Sequence, residues 1–167
     1  MSNSLHQAAI RPPQVSIDDD IAVLEQVPML RALGPAALRL IALGAETREI
    51  QPDDILFRPG ERIDCAYVVQ DGRFRLSSNP AQPGKVIEVG PGTMLGEFAL
   101  ISDNATPLCA TAQDNCTVIR ISRSMFRKIL EDDANAALRL RDYVAHRARQ
   151  SISEVLDIRY SLDPGEK

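Results

Sequence analysis

The hydrophobic period of this chain changes twice, from helical to strand-like near Thr47 and back to helical after Ile121. Between these points, short runs of β-branched and aromatic residues are separated by glycine, proline and aspartate. Short strands spaced by turns predict an antiparallel sandwich or barrel. We therefore expect an α+β fold, an antiparallel β-barrel or jelly roll (a double-stranded β-helix). Short helices precede it, and helices follow it, of which the last is long.

The same pattern predicts five segments. Residues 1–17 form a flexible polar tail, and residues 18–46 hold the N-terminal helices. Residues 47–121 form the barrel. Residues 122–160 form the C-terminal helices, and residues 161–167 form a second tail.

Local signals predict where individual elements begin. The aspartates at 18–20 suit the positive end of a helix dipole, and Gly34 followed by Pro35 predicts a second helix start. Ser122 is the expected N-cap of the first C-terminal helix. Asp71-Gly72 lies between two strand-like runs and predicts a hairpin, because glycine tolerates a positive φ.

Composition excludes several classes of function. A net charge of −4 and a pI near 5.2 argue against a general binder of nucleic acid or anionic membranes. No apolar run approaches the roughly 20 residues that a membrane span needs. Since the N-terminus lacks the features of a signal peptide, we expect a cytoplasmic protein. Cys65, Cys109 and Cys116 lack CxxC spacing, so they are interpreted as reduced thiols.

An enzymatic function is not expected. The two histidines, His6 and His146, lie outside the barrel, whereas a barrel metal site of the cupin type needs histidines on its strands. We find no phosphate-binding loop, nucleophile–base grouping or paired carboxylate in the barrel.

The run Gly90–Ile101, GPGTMLGEFALI, resembles the phosphate-binding cassette of the cyclic nucleotide-binding domain. This is the fold of bacterial catabolite activators and of the regulatory subunits of cyclic-AMP-dependent kinase. Asp54–Glu61 and Tyr67–Gly72 resemble the early strands of that family. Val27–Leu30 and Phe126–Leu130 resemble its flanking helices. The resemblance extends from residue 20 to residue 158 and includes a cassette at residues 90–112.

The cassette makes chemical sense for a ligand site. Gly96 has no Cβ, so a ligand can approach the backbone closely. The amides of a turn after it can point at an anion, as those of helix N-termini do. The resemblance implies that Glu97 accepts hydrogen bonds from a ribose hydroxyl; the alternative is a solvated charge in a turn. It also implies the complete set of ligand contacts, which comprises Val86, Leu95, Gly96, Glu97, Phe98, Ala99, Leu108, Cys109, Ala110, Thr111, Arg147 and Ser151.

The sequence departs from the family at the phosphate. The family's cassette continues to a Pro-Arg pair, whose arginine binds the cyclic phosphate, and then to a small residue. Here Leu108 stands in place of that arginine, and Cys109 stands in place of the small residue. Loss of one partner from a buried charge pair costs about 2–5 kcal/mol. Arg147 and Ser151 match positions on the long helix near the ligand, and Arg147 or Arg149 is a candidate replacement cation.

Two functions remain open. The first is a stand-alone regulatory module that senses a cyclic nucleotide, cyclic AMP or cyclic GMP, or a related small molecule, and relays binding through the C-terminal helices. The second is a degenerate, ligand-free domain that serves as a scaffold for dimerisation or for an unidentified protein partner. In both we expect no cofactor or metal, and a homodimer through the last helix. We expect no direct DNA binding, since only seven residues follow that helix.

Overall fold

The structure consists of two facing β-sheets between two groups of helices. It is a computed structural model that describes residues 16–79, 81 and 84–162, with side chains of the last helix as far as residue 152. Most of the two expected tails lies outside the described residues. The helices are α1 (Ile17–Leu24), α2 (Pro28–Ala32), α3 (Pro35–Gly44), α4 (Arg123–Asp132) and α5 (Ala134–Leu162). The strands are β1 (Glu46–Ile50), β2 (Ile55–Phe57), β3 (Cys65–Asp71), β4 (Phe74–Ser77), β5 (Val86–Val89), β6 (Met94–Leu95), β7 (Cys109–Ala112) and β8 (Cys116–Ser122).

The strands form two antiparallel sheets of four. One has the order β1-β8-β3-β6 and the other the order β2-β7-β4-β5. The expected jelly-roll fold with flanking helices is therefore confirmed. No ladder between the described strands joins the two sheets, so hydrogen bonds do not close them into a barrel.

The predicted hairpin at Asp71-Gly72 is wrong. β3 pairs with β6 and β8, whereas β4 pairs with β5 and β7 in the other sheet. Gly72 does adopt a positive φ of 84°, but there the chain crosses between the sheets. Val69 before the crossing and Phe74 after it are buried in one core between the sheets. Since both sheets must supply apolar side chains to that core, burial favours the crossing over a local hairpin.

The predicted helix starts have clear structural causes. Ser122 Oγ accepts a hydrogen bond from the Met125 amide at 3.2 Å, which confirms it as the N-cap of α4. α3 begins at Pro35, directly after Gly34. At α1, Ser16 and Asp19 form a reciprocal capping box that the sequence analysis did not identify.

Two apolar cores hold the fold together. One packs helices α1–α5 against the outer face of the first sheet, and the other fills the space between the sheets. Cys65, Cys109 and Cys116 are free and buried, as expected for reduced thiols. Among the described residues, no helix combines the length and apolarity needed to cross a bilayer.

A polar contact joins α1 to β3. Gln70 Nε2 donates a hydrogen bond to Asp20 Oδ1 at 2.8 Å, while the buried Gln70 Oε1 has no partner among the described residues. Burial raises the pKa of the Asp20 carboxyl above 3.8. The hydrogen bond from Gln70 opposes this shift, and the charge of Asp19 adds to it.

We expect Asp20→Asn to stabilise the protein at neutral pH, with a gain that shrinks as the pH falls through the raised pKa towards 3.8. The folded state binds the Asp20 proton more tightly than the unfolded state does. The wild-type free energy of unfolding therefore falls as the pH rises from 3.8 through the raised pKa. Asparagine has no such titration, and its amide can also donate to Gln70 Oε1. Urea unfolding of both proteins across this pH range measures the difference.

The control is Asp18→Asn, which removes an equal charge from the first turn of α1 without touching Gln70. It isolates the interaction of the charge with the helix dipole. A gain from Asp20→Asn that is the same at every pH would contradict the assignment.

Candidate functional site

The site begins at a position that only glycine can occupy without strain. β6 ends at Leu95, and Gly96 follows with φ +74°. A Cβ at this position would lie 2.8 Å from Ile63 Cδ1, closer than real Cβ contacts allow. The positive φ and this contact together explain the Gly96 that the sequence singled out.

A 3-10 turn, Glu97–Leu100, follows Gly96. The Ala99 amide donates to Gly96 O at 3.0 Å, so this amide is used within the turn and does not serve an anion. Ala99 and Leu100 are buried and anchor the turn, while Phe98 is 67% exposed. The turn therefore presents Glu97 and Phe98 on its outer side.

Two cavities meet at this turn. The sheet cavity, of about 190 Å³, is lined by Phe57, Leu76, Met94, Leu95, Gly96, Glu97, Phe98, Pro107 and Leu108. The helix cavity, of about 200 Å³, is lined by Met29, Glu97, Phe98, Ile101, Tyr143, Val144, Arg147, Ala148 and Ser151. Glu97 and Phe98 line both, so one small molecule beside the turn could contact the sheets and α5 together.

Seven of the predicted contact residues line these cavities. The sheet cavity contains Leu95, Gly96, Glu97, Phe98 and Leu108, and the helix cavity adds Arg147 and Ser151. Val86 is exposed on β5, and Ala99, Cys109 and Ala110 are buried in the fold. Thr111 lies on β7, with its Oγ1 3.6 Å from Cys109 Sγ. These last five residues lie outside the lining of both cavities.

The sheet cavity is apolar apart from one acid. Among the described residues that line it, Glu97 is the only ionisable one, and Leu108 is another lining residue. Leu95 pairs with Tyr67 on β3, where burial raises the pKa of the phenol to about 12. Tyr67 therefore remains neutral at physiological pH. Among the described residues, no group of His, Cys, Asp or Glu is arranged to hold a metal ion.

Arg123, the first residue of α4, holds the turn in place. Its guanidinium donates to the carbonyl of Ala99 and, at 2.6 Å, to the carbonyl of Ile63, and it lies 3.4 Å from Asp103. Only 14% of its side chain is exposed. Sequence reasoning missed Arg123, because its partners are 20 to 60 positions away and no local pattern connects them.

The surface of the helix cavity is mostly apolar, with a few polar side chains. Met29 of α2 and Ile101 after the turn line this cavity, and α5 supplies Arg147 and Ser151. Ser151 Oγ donates to Arg147 O at 3.1 Å, so its hydroxyl proton is bonded within the helix and its oxygen can still accept a hydrogen bond.

Comparison with known proteins identifies the family. The model of the cyclic nucleotide-binding domain family matches residues 47–133, which is slightly more than half of the chain. The chain belongs to this family. A cyclic nucleotide-binding-like protein from Brucella abortus is 42% identical, with a TM-score of 0.62, over 68% of this chain and 99% of that one.

Two further proteins are similar to this chain, one in fold and one in sequence. The regulatory domain of Toxoplasma gondii PKA, solved with cAMP, shares the fold at 23% identity and a TM-score of 0.63, over 73% of this chain and 47% of that one. The lysophospholipase NTE1 of Pyricularia oryzae is 23% identical over 136 residues, 80% of this chain. The chain spans only 9% of that protein's length, so the match concerns one domain and not the whole enzyme.

Proposed function

We propose that this cyclic nucleotide-binding domain is a regulatory module that senses a small molecule bound beside Glu97. The observation that carries the proposal is the position of Glu97. It follows a glycine whose φ is positive, and it lines both the sheet cavity and the helix cavity. A carboxylate there can accept hydrogen bonds from ligand hydroxyl or amino groups.

The relay would run through α4 and α5. Arg123 connects the turn to the start of α4, and Arg147 and Ser151 connect the helix cavity to α5. A ligand moves this equilibrium only if it binds one helix position more tightly than another. A molecule that contacts both the turn and α5 would bind more tightly when α5 lies close to the turn.

The proposal includes a homodimer through α5. Leu138, Ala145 and Ile152 recur at intervals of seven, which places them along one side of the helix. Leu138 is 47% exposed and Ile152 is 61% exposed. Pairing with the same stripe of a second copy would bury them.

The test is thermal unfolding with millimolar cyclic AMP, cyclic GMP, adenosine or guanosine, combined with hydrogen exchange of α5. A compound that binds only the folded state stabilises it by about 2.7 kcal/mol at a concentration 100 times its Kd. We expect at least one compound to raise the Tm, to change exchange in α5, and to lose its effect in Glu97→Ala. Sedimentation velocity in the same samples reports the oligomeric state.

A scaffold that binds no ligand is the second candidate, and Leu108 favours it, since it lines the sheet cavity where a bound phosphate would need a cation. In that case all four unfolding curves coincide with the curve of the free protein. A Tm increase that survives Glu97→Ala would indicate binding elsewhere and contradict the proposed site.

A further inference from the structure

Among the described residues that line the sheet cavity, the charges have one sign only. Glu97 contributes a carboxylate, and every other lining residue is apolar or a glycine. Leu108 is half-buried, directly before β7, and it lines the same cavity as Glu97. A negatively charged group placed in this cavity would face an acid without a compensating cation.

The arginine that contacts the turn is committed elsewhere. Arg123 donates to two backbone carbonyls and pairs with Asp103. Arg62 also pairs with Asp103, at 3.4 Å. Arg147 lines the helix cavity and not the sheet cavity. Moving Arg123 into the sheet cavity would leave the carbonyls of Ala99 and Ile63 without their donor.

We infer that the sheet cavity accepts the uncharged end of a small molecule, with an O–H or N–H group directed at Glu97, and that it rejects a phosphate anion. This inference rests on the proposed function and names the chemical class of its ligand. An anion on the same molecule would have to lie at the helix cavity, near Arg147. A free cyclic nucleotide is therefore a poor ligand, and Leu108 is the residue that determines this specificity.

The experiment compares two probes that differ by one charge. They are cyclic AMP and its uncharged methyl phosphotriester, titrated calorimetrically into the wild type, Leu108→Arg and the control Leu108→Met. Leucine to methionine keeps the cavity apolar and similar in volume. Circular dichroism and the Tm without ligand establish that each variant is folded, and Leu108→Lys replaces Leu108→Arg if the arginine variant does not fold.

We expect the wild type and Leu108→Met to bind the triester at least about 30-fold more tightly than cyclic AMP. Leu108→Arg should reverse this preference by a similar factor. Tighter binding of cyclic AMP than of the triester by the wild type would overturn the inference and leave the proposed function intact.

If the wild type binds neither probe, the unfolding test with four compounds still decides the proposed function, and the variants alone decide the inference. Gain of cyclic AMP binding in Leu108→Arg then supports the assignment of Leu108 as the residue that excludes the anion. Failure of the folded Leu108→Arg and Leu108→Lys variants to bind cyclic AMP overturns it.

Discussion

Arg123→Ala is expected to lower the free energy of unfolding by about 3–5 kcal/mol, since hydrogen bonds to a charged group contribute roughly 1.5–3 kcal/mol each. The guanidinium of Arg123 donates to the carbonyls of Ala99 and Ile63, and alanine would leave both without that donor. Ala99 itself is only 4% exposed, so water is a poor substitute there. Urea unfolding at neutral pH measures the loss.

The matched control is Arg62→Ala. Arg62 pairs with the same Asp103, but its side chain is 71% exposed and donates to neither carbonyl. Its loss should change the free energy of unfolding by no more than about 0.5 kcal/mol. Equal effects of the two substitutions would show that the ion pair with Asp103, and not the carbonyls, accounts for the role of Arg123.

A second measurement, amide hydrogen exchange, reports on the turn itself. The amides of Ile101 and Ser102 donate to Phe98 O and so report on the turn. In Arg123→Ala they should exchange with solvent faster than in the wild type, relative to amides of β8. Unchanged exchange at these two amides would contradict the assignment of Arg123 as the residue that holds the turn.

Gly72→Ala is expected to destabilise the protein by about 2–5 kcal/mol. A positive φ costs an alanine roughly 1–2 kcal/mol. At Gly72 the new Cβ would also lie 2.8 Å from Asn115 O and 2.9 Å from Cys116 Cα, both backbone atoms that cannot rotate away. Such overpacking adds about 1–3 kcal/mol. Chemical unfolding followed by circular dichroism gives the value.

Gly60→Ala separates the two contributions. Gly60 has nearly the same φ, +85° against +84°, and nothing lies within 4 Å of a Cβ built there. Gly60→Ala should lower the free energy of unfolding only by the cost of the positive φ, about 1–2 kcal/mol. The effect of alanine on the unfolded chain is common to both positions and cancels in their difference. Equal losses of stability at the two glycines would mean that the backbone near Cys116 shifts to make room without a measurable loss of free energy.

Local signals in the sequence predicted much of the fold, and the failures have a common cause. The N-cap at Ser122 and the helix start at Pro35 depend on neighbouring residues, and the structure has both. Asp71-Gly72 was also a local signal, and it correctly predicted a positive φ. Which sheet the next strand joins depends instead on burial of Val69 and Phe74 between two sheets, which no short window contains.

The predictions for the candidate site also succeeded where a local motif was present and failed where contacts are distant in sequence. A contiguous motif predicted the run Gly96–Phe98, and all three residues line the sheet cavity. Glu97 and Phe98 also line the helix cavity, together with Arg147 and Ser151. Cys109–Thr111 were predicted by their position after Leu108, but none of them lines either cavity, and Ala110 is buried in the core between the sheets. Arg123 carried no motif, since its contacts arise only when α4 folds against the turn.

The residues that set the chemistry of the sheet cavity lie outside the sheet ladders. Gly96–Phe98 follow β6, and Leu108 lies one position before β7. A substitution at Leu108 can thus alter which molecules are accepted while every backbone pairing of the sheets is retained. Under the proposed function, single mutations there would exchange one effector for another, so new specificities would evolve without a loss of foldability.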